Sequence, residues 1–144
     1  MRLISAALLL LLPSASVGAE PIPTHLCNLV ADPARFGGKR VTFAADILTD
    51  WQHGTVLTDS TCKGGVELTS TEAVAEAEIA AMDKAVGTPL TGGYNRTARA
   101  TFTGVFYWKP ALPGQQAHFY NARQFAAENV TNVSVHQRSK SEVR

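Results

Sequence analysis

The side chains best suited to acid–base or metal chemistry near neutral pH are the four histidines, His25, His53, His118 and His136. They are scattered along the chain without the close spacing that metal ligands usually show. Only His53 has acidic neighbours, Asp50 and Asp59, which could meet it across a predicted hairpin and support weak metal binding or general-base chemistry. We favour the alternative, that these are solvated turn residues.

No established catalytic motif occurs in the sequence. It contains no G-x-S-x-G nucleophile turn, no phosphate-binding glycine loop and no H-E-x-x-H zinc motif. The Gly-Gly-Lys at residues 37–39 leads into a predicted strand, so it lacks the helix N-terminal amides that bind phosphate. We therefore predict no catalytic residues, no metal site and no cofactor.

Three aromatic residues are the candidates for ligand binding. Trp51, Tyr107 and Tyr120 fall at the ends of predicted strands or in loops. Together they could form a stacking platform for a sugar, a peptide or a partner protein. The alternative is that their rings close the ends of the core and leave only their polar atoms in water.

The chain has two cysteines, Cys27 and Cys62. They are far apart in sequence, unlike a C-x-x-C redox pair, and no further cysteine or suitably spaced histidine completes a metal site. A disulfide between them would close a loop of about 35 residues and stabilise the fold by about 3–4 kcal/mol. We predict this bridge, which is typical of exported proteins.

Residues 1–19 have the pattern of a signal peptide. Arg2 precedes an apolar run that ends at Pro13, and small residues precede a predicted new N-terminus at Glu20. The run is shorter than the roughly 20 residues that span a bilayer. We therefore predict a periplasmic or secreted protein without a stable membrane anchor after cleavage.

The charge balance argues against nucleic acid as a partner. The whole chain has 13 Lys and Arg against 12 Asp and Glu, and Arg2 would leave with the signal peptide. Binders of nucleic acid usually carry a basic excess or stripe, because phosphate contacts supply most of their affinity. Here only the modest basic tail HQRSKSEVR stands out.

Period-two alternation predicts five strands. The first starts at Val41 and places alternate apolar residues on one face, and short strands follow around TVLTD and VELT. The fourth, RTARATFTGVFYW, has Gly104 in its middle, which indicates a bulge or bend. AHFYNARQFAA is the fifth, and residues after about Asn129 are expected to be polar and frayed.

Two helices complete the pattern. A short one follows Thr24 and ends before Pro33, with a turn at ARFGGKR after it. A longer one is capped by Ser70 or Thr71 and ends at Gly87, and it lies between the third and fourth strands. This order predicts a mainly β fold, a small five-stranded barrel of the OB-fold arrangement.

The segments DPARFGGKRVTFAADI, HGTVLTDSTC and RATFTGVF resemble a group of small exported bacterial OB-fold-like proteins. Such sequences enter the first strand through P-x-x-F/Y-x-G-K-x-V and carry a cysteine after an L-x-D strand. They often have a glycine where this chain has Ala44-Ala45. The resemblance implies the fold and a bacterial source. Because these proteins are largely of unknown function, it implies little chemistry and provides no catalytic residues to carry over.

We therefore divide the chain into a signal peptide (1–19), an OB-like domain (20–128) and a polar tail (129–144). We predict a non-catalytic binding module for cell-envelope carbohydrate or a protein partner. The alternatives are a metal-dependent or hydrolytic activity around Asp50, His53 and Asp59, and a purely structural envelope component. Three sites match the N-glycosylation pattern and would matter only in a eukaryotic source: Asn95, Asn129 and Asn132.

Overall fold

The computed structural model describes residues 18–49, 54–87, 96–114 and 122–137 of the chain. Residues 1–17 of the predicted signal peptide therefore lie outside the described residues. The elements in chain order are β1 (Ile22–Pro23), α1 (Leu26–Ala31), α2 (Pro33–Phe36), β2 (Lys39–Thr49), β3 (Thr55–Thr58), β4 (Gly65–Ser70), α3 (Glu76–Val86), β5 (Arg96–Lys109) and β6 (Ala122–Gln137).

Five of the strands close into a barrel in the order β2-β3-β4-β6-β5, and β5 pairs back onto β2. The pairs β2–β3, β3–β4, β5–β6 and β2–β5 are antiparallel, whereas β4–β6 is parallel. The short β1 adds a parallel pairing beside Val41 and Thr42 at the start of β2. A mainly β fold with a small five-stranded barrel is therefore confirmed, and its first three strands form the predicted antiparallel meander.

The barrel interior is filled by the face that the alternation predicts. On β2 the buried residues are Val41, Phe43, Ala45 and Ile47, and on β5 they are Ala98, Ala100, Phe102, Gly104 and Phe106. At its centre the ring of Phe125 from β6 lies edge-on to Phe43, with centroids 5.0 Å apart. This contact joins strands on opposite sides of the closed sheet, so burial of the rings stabilises the barrel itself.

Gly104 lies where the β5–β6 register shifts, between Thr103 and Gly104. The predicted irregularity at this glycine is thus confirmed. A Cβ at this position would overlap the carbonyl oxygen of Ala126 and lie 2.9 Å from both the Ala127 Cα and the Phe125 ring. Only glycine lets the two strands approach this closely as the sheet bends.

The disulfide between Cys27 and Cys62 is present, with the Cα atoms 5.6 Å apart. It attaches α1 to the turn between β3 and β4. Leu26 and Leu29 of α1 are buried in the barrel core, so the disulfide and the packing of these two side chains both hold α1 against the barrel. A disulfide indicates that the chain matures in an oxidising compartment outside the cytoplasm.

The first helical region differs in detail from the prediction. His25, not Thr24, occupies the N-cap of α1 and makes no capping side-chain bond, while α1 ends before Pro33 as expected. Pro33 then occupies the first turn of α2, so part of the predicted turn at ARFGGKR is helical. The reason is that proline is disfavoured inside a helix but well suited to its first turn.

The longer helix starts later than predicted, at Glu76, and neither Ser70 nor Thr71 is its cap. Ser70 instead ends β4, where it pairs with Ala126 of β6. The chain must therefore turn before it can enter α3, and Val74 in that turn is buried. Gly87, with φ of 79°, ends the helix as the sequence predicted.

Strand β6 continues to Gln137, so the expected fraying after Asn129 is wrong for residues 129–137. Val130 and Val133 contact the core from this segment, and its pairing with β5 continues to Gln137 opposite Arg96. Glu78 of α3 also accepts a hydrogen bond from the Val130 backbone amide at 2.9 Å. A polar sequence is compatible with a strand that faces water on one side.

No helix within the described residues is long and apolar enough to cross a membrane.

Candidate functional site

Of the three predicted binding residues, Tyr107 is the one that lies within the described part of the chain. Tyr107 lies on the outward face of β5, and 49% of its surface is exposed. Trp51 and Tyr120 lie outside the described residues, as do Asp50 and His53 of the proposed acid–base cluster. The neighbouring Trp108 is half-buried and packs against the core.

Asp59, the third member of the proposed acid–base cluster, is held by two partners. Its Oδ1 accepts hydrogen bonds from the hydroxyl and the backbone amide of Thr61, and its Oδ2 accepts one from Arg99 at 3.1 Å. The bonds from the Thr61 hydroxyl, then the Thr61 amide, and the contact with Arg99 hold the pKa of Asp59 below its ordinary value. A carboxylate in this state is a weak base and serves to fix the turn after β3.

Arg99 also binds a second carboxylate, Asp46 of β2, at 3.1 Å. The cluster of Asp46, Arg99 and Asp59 thus connects β2, β5 and the turn that contains Cys62. In the described part of the chain, no group of three or more histidine, cysteine, aspartate or glutamate side chains could hold a metal ion.

A continuous row of outward-facing side chains runs around the closed barrel, with one residue on each of its five strands. Leu48 of β2 pairs with Val56 of β3, Val56 pairs with Glu67 of β4, Glu67 pairs with Gln124 of β6, and Gln124 pairs with Tyr107 of β5. We call these five residues the outer row. Its four steps of about 4.8 Å between strands make it about 19 Å long on the sheet surface.

The apolar members of the outer row are unusually accessible. Leu48 is 43% exposed and Val56 is 36% exposed, and with Tyr107 they make up three of the six large hydrophobic residues found exposed among the described residues. Scattered exposed apolar side chains are normal, but an aligned set marks a candidate interaction surface.

The middle of the outer row is polar. The amide of Gln124 donates a hydrogen bond to the carboxylate of Glu67, with Nε2 and Oε2 3.4 Å apart. Glu67 retains further acceptor capacity, and Gln124 offers both a donor and an acceptor. The row therefore combines an aromatic ring at one end, a hydrogen-bonding pair in the centre and an aliphatic pair at the other end.

The ends of the outer row lie near the other predicted binding residues along the chain. Leu48 precedes Trp51 by three positions, and Tyr107 ends the row on the strand that leads towards the segment containing Tyr120. Sequence reasoning found Tyr107 from its aromatic character but missed Leu48, Val56, Glu67 and Gln124. Alternation placed Leu48 opposite the core face, but the register that aligns five strands cannot be read from one sequence.

Comparison with family models, curated proteins and solved structures gives no match for this chain. The surface chemistry of the described residues is therefore the basis for inferring function.

Proposed function

We propose that the chain is a non-catalytic, exported binding module with an OB-like barrel, and that it binds cell-envelope carbohydrate on the part of the outer row formed by Tyr107, Gln124 and Glu67. The order of the elements supports the OB-like assignment, because three antiparallel strands, α3 and two further strands follow one another in the chain. The disulfide supports export into an oxidising compartment, the periplasm or the exterior.

The observation that carries the proposal is the alignment of Tyr107 with Gln124 and Glu67 on one line across three strands. Sugar rings present apolar C–H faces and peripheral hydroxyls. An exposed tyrosine ring can stack on the first, while a carboxylate and an amide can bind the second. OB-folds bind oligosaccharides and oligonucleotides on the face of their second and third barrel strands, and β3 and β4 occupy those positions here.

Among these ligands the charge favours sugar over nucleic acid. The outer row contains one carboxylate, Glu67, and no basic residue. A polyphosphate backbone would be repelled by Glu67 and would find no cation on the row to neutralise it. A neutral glycan meets neither difficulty.

The direct test is calorimetric titration of the mature protein with a soluble oligosaccharide of N-acetylglucosamine. We expect Tyr107→Ala to weaken binding by about tenfold or more, since aromatic stacking is worth about 1–3 kcal/mol per ring contact. Val135→Ala removes a side chain of comparable exposure that is not part of the outer row and should bind as the parent does. Equal affinities for the parent and Tyr107→Ala would refute the proposal.

A protein partner is the second candidate, and the exposure of Leu48 and Val56 favours it. Aliphatic side chains contribute more to protein interfaces than to sugar binding. In that case Leu48→Ser would abolish binding of the protein partner. The oligosaccharide would bind neither the parent nor the variant. Under either candidate Trp51→Ala is expected to reduce binding and leave the fold intact.

The metal-dependent or hydrolytic alternative has less support, because Asp59 is already bound by Thr61 and Arg99. It predicts stoichiometric metal in the purified protein, which elemental analysis measures. A purely structural envelope component would instead show self-association and no glycan binding, which sedimentation would detect.

A further inference from the structure

A cleft of about 320 Å³ lies beside β1 and shares no lining residue with the outer row. Its walls come from β1, α1, α2 and the residues that connect them. The polar side chains that line it are Thr24, His25, Asn28 and Arg35, and Phe36 forms part of its apolar wall. The volume is within the range of small-molecule sites, at the lower end.

Arg35 gives the cleft its charge. Its guanidinium lies over the ring of Phe36, with Cζ 5.3 Å from the ring centroid, and Phe36 itself is buried at 5% exposure. This contact places the cation against a buried ring among the residues that line the cleft. Within the described part of the chain Arg35 makes no ion pair, and no acidic side chain lines the cleft.

The neutral polar groups add hydrogen-bond capacity. The Asn28 amide donates to the Thr24 hydroxyl, with Nδ2 and Oγ1 3.3 Å apart. This contact uses an acceptor site of Thr24 and one of the two amide protons of Asn28. The Thr24 hydroxyl proton and the second Asn28 proton therefore remain able to bind a ligand.

From these features we propose that the cleft binds a small, singly charged carboxylate attached to an apolar group. One guanidinium can bind one carboxylate through two parallel N–H bonds. A phosphate monoester would set about two negative charges against a single permanent cation. The apolar wall of Ile22, Pro23 and Phe36 suits an aliphatic substituent.

The site is independent of the outer row, so a failure of either proposal leaves the other standing. The same chemistry is offered by a free organic acid and by the C-terminus of a peptide with an apolar last residue. Separate probes for a free acid and for a peptide C-terminus distinguish these two sources.

The test is a titration of the ¹⁵N-labelled mature protein, followed in ¹H–¹⁵N correlation spectra. The probes are hexanoate, its uncharged analogue hexanamide, and N-acetyl-leucine as a mimic of a peptide C-terminus. We expect hexanoate to shift the amide signals of Thr24, His25, Asn28 and Arg35 in a saturable manner. Hexanamide should bind at least about tenfold more weakly, because it cannot form the charge-assisted pair.

Variants assign the effect to Arg35. Arg35→Gln should weaken hexanoate binding by about tenfold or more. Lys84→Gln also removes one positive charge, but on α3, outside the cleft, and should leave the affinity for hexanoate unchanged. Asn28→Ala is a second variant within the cleft and should weaken binding less. Tighter binding of N-acetyl-leucine than of hexanoate would support a peptide C-terminus as the source, and the reverse would support a free acid.

Two results would overturn the proposal. One is that hexanamide shifts the same signals as strongly as hexanoate does. The other is that Arg35→Gln, with an otherwise unchanged spectrum, binds hexanoate as tightly as the parent.

Discussion

Arg99 of β5 donates a hydrogen bond from Nη2 to Oδ2 of Asp59, across 3.1 Å, and so attaches the turn after β3 to β5 on the other side of β2. The two residues are 40 positions apart in sequence. Asp59 therefore has a structural role that its place in the predicted acid–base cluster does not reveal. Because the Asp59 carboxylate must be ionised to pair with Arg99, the stability of the protein should depend on pH.

Replacing Asp59 by asparagine should lower the free energy of unfolding at pH 7 by about 1–2 kcal/mol, because the charge-assisted bonds to Thr61 and Arg99 weaken. The folded pKa of Asp59 lies below that of the unfolded chain. The unfolded state therefore binds more protons than the folded state in the acidic range. The contribution of Asp59 to the free energy of unfolding is fully present above its unfolded pKa of about 3.9. It is lost as the pH falls through the folded pKa.

Urea denaturation of the parent and Asp59→Asn at pH 7, 5 and 3 measures this effect. The difference between the two proteins should be constant from pH 7 to 5 and should shrink towards pH 3. Asp83→Asn, on the exposed side of α3, is the control and should follow the parent at every pH. A difference that grows on acidification would contradict the assigned role.

The Cys27–Cys62 bridge should contribute about 3–4 kcal/mol, since it closes a loop of 35 residues in the unfolded chain. The double variant Cys27→Ser/Cys62→Ser should lose this amount, and reduction of the parent should reproduce the loss. Chemical denaturation in the presence and absence of a reductant measures both. A reduced protein as stable as the oxidised one would show that packing of Leu26 and Leu29 alone holds α1 in place.

Gly104→Ala should destabilise the protein by about 2 kcal/mol or more, because the added methyl group would overlap the Ala126 carbonyl oxygen on the adjacent strand. Gly37→Ala is the matched control, since its Cβ would find its nearest neighbour at 3.7 Å, an ordinary contact distance. Thermal unfolding of both variants provides the comparison. Equal melting temperatures would mean that the strands can separate at the bulge without cost.

Much of the architecture follows from the sequence, because alternation along a half-buried strand determines which residues face the core. Phe43 on β2 and Phe102 on β5 were identifiable in this way, and so was the irregularity at Gly104. Strand boundaries were harder to predict. The segment from Asn129 onward is mostly polar, and its valines at 130, 133 and 135 do not alternate regularly with polar residues. Strand β6 is extended there by pairing with β5, a contact distant in sequence.

The candidate site was less accessible to sequence reasoning. An exposed tyrosine such as Tyr107 stands out by residue type, whereas Gln124 and Glu67 are ordinary surface residues until the parallel β4–β6 register places them side by side. The outer row depends on non-local pairing, which local patterns do not determine. The Arg35 cleft was missed for a different, local reason, because α2 was interpreted as a turn.

The central claim is that the outer row binds a glycan, and chemical-shift mapping tests it most directly. The ¹⁵N-labelled mature protein is titrated with a soluble N-acetylglucosamine oligosaccharide while its backbone amide signals are followed. The account predicts saturable shifts at Glu67, Gln124 and Tyr107 together, with the signals of α3 unchanged. Shifts that avoid these three residues, or no shift at any concentration reached, would contradict it.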